Sequence, residues 1–185
     1  MKQCLCLVLA MFLLTGCGQA DGLSEMTKLR DAMLQMEFCT FDAVICADYG
    51  ETSYTFTVTC RSERDGTTAF TVKETQTIAG IGGKIQNQAG QLIYEDVVLG
   101  FPLLADGEVS PVSAPWIMIK TLLGGYIRSY GVEAPYTHVV LDDSYAESAL
   151  QVDVWLGEDA LPIYAEIVWQ NRRVLSIEVE NFQIV

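Results

Sequence analysis

Residues 38–60 read FCTFDAVICADYGETSYTFTVTC, and this stretch decides the fold. Phe41, Ala43, Ile45 and Ala47 alternate with Thr40, Asp42, Val44 and Cys46. Beyond Tyr49-Gly50-Glu51-Thr52, the residues Tyr54, Phe56, Val58 and Cys60 alternate with Thr55, Thr57 and Thr59. A period of two sends successive side chains to opposite faces of a pleated strand. The stretch therefore predicts an antiparallel hairpin with one apolar and one polar face. Asp65-Gly66 supplies a second turn, after which Phe70 and Val72 alternate with Thr71 and Lys73, giving a three-strand meander. The small residues Ala43 and Ala47 on the apolar face leave room beside larger neighbours, or are filled by a helix.

Upstream the period changes. Ser24 reads as a helix N-cap with Glu25 in the first turn, and Met26, Leu29, Met33 and Met36 recur at helical spacing. They form one narrow stripe, with Lys28, Arg30, Asp31 and Gln35 off it. Methionine adapts to irregular or changing surfaces, so the stripe suits either core packing or a lid over a ligand.

Downstream, Ile78-Ala79-Gly80-Ile81-Gly82-Gly83-Lys84 invites a phosphate-loop reading and fails it. Ile78 stands where the first glycine belongs, and Ile85 where a hydroxyl is required. The glycines instead predict a bend or bulge, followed by a strand around Gln91 to Val98. Ser113 as N-cap and Pro115 near the first turn open a helix through Trp116, Ile119 and Leu123, which Gly124-Gly125 ends. Its apolar residues run nearly all round, so it is buried or faces a hydrophobic pocket. Strand signals follow at Tyr136 to Leu141, Leu150 to Leu156 and Ile163 to Trp169. A final strand runs from Val174 to Ile184 after a turn at Asn171-Arg172. Pro162 opens a strand, where a missing N–H is tolerated.

The N-terminus reads as an address. Lys2 precedes an uncharged run from Cys4 to Leu14. At ~1.5 Å per residue this run is too short for a ~30 Å hydrocarbon core, so it is a signal segment rather than a span. It closes with Leu14-Thr15-Gly16-Cys17, which resembles the lipobox of bacterial lipoproteins. The resemblance implies acylation of Cys17 and cleavage before it. Residues 1–16 are then the signal peptide, 17–22 the lipidated cysteine and tether, and 23–185 one domain. Acyl chains at ~0.8 kcal/mol per buried CH₂ anchor such a chain stably. The predicted location is the extracytoplasmic face of the cell membrane.

Composition narrows the chemistry. Eleven Lys+Arg against 24 Asp+Glu leave a formal charge of −13, which excludes a nucleic-acid partner because no basic surface exists to displace counterions. One histidine rules out multi-His metal sites. After signal removal and lipidation, Cys39, Cys46 and Cys60 remain, as one disulfide and a free thiol or as three buried thiols. None forms a C-x-x-C pair, so zinc or redox chemistry is not expected. His138 lies near Asp142, Asp143 and Ser144, but no G-x-S-x-G motif accompanies it. Asp142, Asp143 and Glu147 lack the spacing of a calcium loop. Glu158-Asp159 and Glu178-Glu180 fall in a turn and on an outer strand face. The reading is non-enzymatic, with no metal or cofactor.

The order of parts resembles the LolA/LolB superfamily, in particular its Gram-positive and mycobacterial lipoproteins. The residues that carry the likeness are Leu99-Gly100-Phe101-Pro102-Leu103, Ser110-Pro111 with Ala114-Pro115-Trp116, Leu161-Pro162-Ile163-Tyr164-Ala165-Glu166, and Glu180-Asn181-Phe182. The resemblance implies an α+β, mostly antiparallel fold: a strongly curved half-barrel sheet with helices plugging its concave face. It also implies a hydrophobic ligand, such as a lipid acyl chain, held in that concavity. From strand alternation and the helix stripes, the lining would be Met26, Leu29, Met33, Phe41, Tyr54, Phe56, Phe70, Trp116, Ile119 and Leu123. A permanently anchored chain departs from the soluble shuttles of this superfamily. The clostridial germination lipoproteins resemble the same architecture, and that likeness implies a different partner: a cell-envelope protein, namely a cell-wall amidase that the lipoprotein engages and activates.

Overall fold

The computed structural model describes residues 22–74, 76–105, 108–146 and 149–185. The signal segment, Cys17 and the tether up to residue 21 lie outside the described residues, as does Glu147. The chain opens with helix α1 (Gly22–Gln35) and runs through β1 (Phe38–Asp48), β2 (Ser53–Glu63), β3 (Thr68–Glu74), β4 (Gly82–Gln86), β5 (Ala89–Tyr94) and β6 (Val97–Pro102). The short pair β7 (Leu104–Ala105) and β8 (Glu108–Val109) and a 3₁₀ turn, Pro111–Ser113, lead into helix α2 (Ala114–Gly124). Strands β9 (Tyr126–Glu133), β10 (Tyr136–Asp142), β11 (Gln151–Leu156), β12 (Pro162–Trp169) and β13 (Arg172–Ile184) close the chain.

Eleven strands form one antiparallel sheet in the order β6-β5-β4-β3-β2-β1-β13-β12-β11-β10-β9. Two meanders are thus welded where the last strand pairs with the first, Ile45 opposite Ile177. Helix α2 carries the crossover between them. The sheet is curved and open, with β6 and β9 as its edges and no closure into a barrel. This is the half-barrel that the family resemblance implies.

Alternation sets the core. Cys39, Phe41, Ala43, Ile45 and Ala47 of β1 and Phe56, Val58 and Cys60 of β2 are buried on the concave face. Val139, Leu141, Val152, Val154, Ala165 and Ile167 are buried in the second meander. Met26, Leu29 and Met33 of α1 and Met36 beyond it are 2–3 % exposed or less. Both helices therefore fill the concavity. At β13 a bulge holds Asn181 at φ 54°, and its amide donates to Asp42 Oδ2 at 2.9 Å. The Thr59 hydroxyl donates to Asp42 Oδ1 at 2.6 Å.

Each helix has its C-terminal carbonyls closed by an arginine from elsewhere. Arg30 of α1 donates to the carbonyls of Leu122 at 2.7 Å and Gly125 at 2.9 Å, at the end of α2. Arg64, after β2, donates to the carbonyls of Met36 at 2.5 Å and Gln35 at 2.7 Å, at the end of α1. A cation at a helix C-terminus satisfies orphan carbonyls and complements the dipole.

Several expectations are corrected. Ser24 lies inside α1, which begins at Gly22. Ser113 does stand at the N-cap of α2, but its hydroxyl donates back to Ser110 O at 2.5 Å rather than to the helix. The stretch Gln91 to Val98 is two strands, because Glu95, at φ 51°, and Asp96 make a tight turn. The last hairpin turns at Gln170-Asn171, both at positive φ, one residue earlier than expected. Gly82 and Gly83 belong to β4 and only Gly80, at φ 86°, serves the bend. Strand β9 has no expected counterpart, since its apolar residues do not alternate with a polar set.

Gly83 has a specific reason. It pairs with Phe70, and a Cβ there would fall 2.2 Å from Phe70 Cζ and 2.9 Å from the backbone oxygen of Gln91. The phenyl ring lies flat over the glycine, as it does for Phe101 over Gly90. Gly83→Ala is expected to destabilise the fold by about 1–3 kcal/mol in denaturant melts, because the fixed backbone oxygen cannot retreat. A second prediction concerns pH. The hydrogen bonds from Thr59 and Asn181 hold the Asp42 carboxyl below the usual carboxylate range. A depressed acid pKa stabilises above the unfolded value, and the contribution is lost as pH falls through the folded one. The stability deficit of Thr59→Val should therefore be present at pH 7 and shrink as pH falls below about 4.

Candidate functional site

The helices do not cover the whole concave face, and what they leave open defines the site. Of the ten sequence-derived lining residues, Met26, Leu29, Met33, Phe41, Phe56, Phe70, Trp116 and Ile119 join one packed core, each 7 % exposed or less. Tyr54, at the start of β2, is 53 % exposed and its ring lies 6.4 Å from that of Tyr49. Leu123 is only partly buried, and it and the buried Trp116 line a groove beside α2. A groove of about 540 Å³ runs along the outer side of α2, lined by Trp116, Lys120 and Leu123 with Arg64, Asp65 and Gln88. On the other flank of Trp116 lies a smaller groove of about 240 Å³, walled by Ile117, Leu150, Val109 and Trp169.

Trp116 divides the two grooves and is held rigidly. Its indole N–H donates to Gly66 O at 3.0 Å, which ties α2 to the β2–β3 turn. The Lys120 ammonium stands 5.2 Å over the indole ring and 3.7 Å from Asp143 Oδ2. The mouth thus combines an apolar floor with a polar, mixed-charge rim.

A second open area lies at the β6 edge. On the concave side Tyr94, Val97 and Leu99 are exposed, and on the convex side Ile93 and Val98 are exposed. Leu99 reaches 60 %. Sequence reasoning missed this wing because Gln91 to Val98 read as a single strand. The signal present was the polar pair Glu95-Asp96 between two apolar runs, a two-residue turn without the usual glycine.

The acidic and histidine candidates lie elsewhere. On the convex face His138 stacks on Trp155 with centroids 4.3 Å apart, and its Nδ1 is 3.0 Å from Glu133 Oε1. The Trp155 indole donates to Glu133 at 2.9 Å and lowers that carboxyl's pKa, with a smaller effect of His138. Burial raises the pKa of Asp153, whose Oδ1 is 3.9 Å from His138 Nε2. Asp142 accepts from Arg128 at 2.9 Å, and Glu178 and Glu180 line the outer side of β13. Among the described residues no group of three or more His, Cys, Asp or Glu side chains is gathered to hold a metal ion, and no helix is long and apolar enough to cross a membrane.

No family model and no curated protein matches the sequence. Solved structures similar to this chain include LolA superfamily proteins and mycobacterial lipoproteins. A LolA superfamily protein from Nitrosomonas europaea aligns at TM-score 0.46 and 9 % identity, over 89 % of this chain and 93 % of its own. The lipoprotein LppX of Mycobacterium tuberculosis aligns at TM-score 0.43 and 12 % identity, over 87 % and 94 %. LprF of Mycobacterium bovis aligns at TM-score 0.35 and 9 % identity, over 89 % and 95 %.

The cysteines among the described residues are free thiols, Cys39 and Cys60 buried and Cys46 partly so. Burial is the main cause that pushes the Cys39 thiol up to about 12 and Cys60 well above its ordinary value. A thiol kept protonated and out of solvent is a poor nucleophile. Iodoacetamide at pH 8 should therefore leave Cys39 and Cys60 unmodified in the native protein and modify both in urea, as read by peptide mass spectrometry.

Proposed function

We propose that this protein is a membrane-anchored extracytoplasmic lipoprotein that binds a hydrophobic or amphiphilic ligand at the mouth of its half-barrel and catalyses no reaction. Anchoring is through the acylated Cys17, and no cofactor or metal takes part. The observation that carries the reading is the groove of about 540 Å³ beside Trp116 and Leu123. Its size lies within the ~300–1,000 Å³ of ordinary ligand pockets. An apolar chain would lie along Trp116 and Leu123, with a polar head toward Arg64, Asp65, Gln88 and Lys120. Deeper insertion, toward Met26, Leu29, Met33, Phe41, Phe56, Phe70 and Ile119, requires α1 to lift. Its methionines are the adaptable side of that seam.

One observation favours a second reading, that of an adaptor. Strand β6 is an edge with open backbone groups, and Val97, Val98 and Leu99 are exposed on both its faces. An extended segment of a cell-envelope protein could add a strand there, as the likeness to germination lipoproteins and their amidase partner implies.

Native mass spectrometry of residues 18–185, purified without detergent, separates the two. The ligand reading expects a reproducible co-purified or added lipid mass, lost in Leu123→Asp and retained in Leu99→Asp, with both variants melting cooperatively. A wild-type chain that stays ligand-free when lipids are added overturns it. A protein partner recovered from membrane extracts and lost in Leu99→Asp would support the adaptor.

A further inference from the structure

The sheet has two edges of different chemistry. The β9 edge gathers half of the chain's eight tyrosines: Tyr126, Tyr130, Tyr136 and Tyr145. They are exposed at 41, 49, 41 and 83 %, with Val132 at 44 % between them. Register places Tyr130 and Val132 on the concave side, opposite Val139 and Thr137, and Tyr126 on the convex side, where its ring meets that of Tyr145 at 3.6 Å. Tyrosine thus projects from both faces of one edge strand.

The described chain begins at this same edge. A Cβ at Gly22 would lie 3.0 Å from Thr137 Cγ2 and 3.4 Å from Tyr130 Cδ2. The Glu25 carboxylate accepts from the Thr137 hydroxyl and holds the start of α1 against β10. Five Cα steps separate Cys17 from Gly22, which reach ~17 Å at most at ~3.4 Å each. Strand β9, with eight residues, is itself ~26 Å long at ~3.3 Å per residue. An acyl anchor on Cys17 therefore cannot leave this edge far from the headgroups.

We infer that the β9 edge is a membrane-docking surface, in which Tyr126, Tyr130, Tyr136 and Tyr145 seat in the phospholipid headgroup region beside the lipid anchor. The inference rests on the anchoring reading above. Tyrosine has an apolar ring and a polar tip, which is the character that concentrates it at membrane–water interfaces. The free backbone groups of an edge strand cannot enter hydrocarbon, but they find partners among hydrated headgroups, which fixes the depth. Charge agrees with the location. Arg128 is paired with Asp142, while Glu133 and Glu25 are held by His138, Trp155 and Thr137, so this edge carries no excess positive charge in a chain of net −13. The fitting surface is a zwitterionic phospholipid interface rather than an anionic one. At ~4.8 Å per strand spacing, the β6 edge lies ten spacings away along the sheet, on the order of 48 Å.

The test uses the lipidated full chain, purified from membranes and reconstituted into phosphatidylcholine vesicles containing a phosphatidylcholine with a photoactivatable group near its headgroup. Peptide mass spectrometry maps the adducts. The expected result is adducts on peptides spanning Tyr126–Tyr136 and Tyr145 in several-fold excess over those containing Tyr94 and Leu99. The combined variant Tyr126→Ser, Tyr130→Ser, Tyr136→Ser should lose that excess while the acylated N-terminal peptide stays vesicle-bound. Even labelling, labelling concentrated at β6, or no labelling of an acylated, vesicle-bound protein overturns the docking edge and leaves the anchor standing. An N-terminal peptide without acyl chains overturns the anchoring reading and this inference together.

Discussion

An open sheet with one apolar face must have that face covered, and here two helices do it, each with its C-terminal end pinned by an arginine. Arg30 closes the carbonyl end of α2 and Arg64 that of α1. Neither helix has a basic residue in its own last turn. The cations come from the neighbouring helix and from the β2–β3 connection. A hydrogen bond to a charged donor contributes roughly 1.5–3 kcal/mol, so these contacts matter on the scale of a marginal fold. They also fix where the helices lie, and hence which part of the concave face stays open.

What stays open explains the division of labour in the molecule. Coverage by α1 and α2 turns most of the lining into core, from Met26 and Met33 to Phe41 and Phe56. The uncovered remainder is the mouth beside Trp116 and Leu123, together with the β5–β6 wing. The glycines support this wing. Phe70 over Gly83 and Phe101 over Gly90 let aromatic rings lie across strands that would otherwise lack an apolar surface. The polar clusters, by contrast, lie on the convex face, where His138, Trp155 and Glu133 hold one another. The open apolar surfaces and this aromatic–carboxylate cluster are thus on opposite faces of one sheet.

The two sheet edges are also unlike. An edge strand exposes unpaired N–H and C=O groups and invites company. At β9 the side chains are tyrosines and the start of the described chain is adjacent; at β6 they are aliphatic and far from it.

Much of this was legible in the sequence. Period-two alternation in 38–73 gave strands and their faces, shorter strand signals located those of 136–184, and helical spacing gave the Met26-Leu29-Met33 stripe, because these patterns are local consequences of backbone geometry. The failures are equally physical. Strand β9 escaped because an edge strand with both faces exposed has no buried set to alternate. The turn at Glu95-Asp96 escaped because its positive φ falls on a residue that usually avoids it. The sequence by itself determined most of the strands, the apolar stripe of α1 and the acid excess of the chain. Only the tertiary structure decided which of the ten concave residues would face space, because alternation assigns a face but not what covers it. That coverage depends on Arg30 and Arg64, whose contacts span 91–95 and 28–29 residues of chain and leave no local pattern to read.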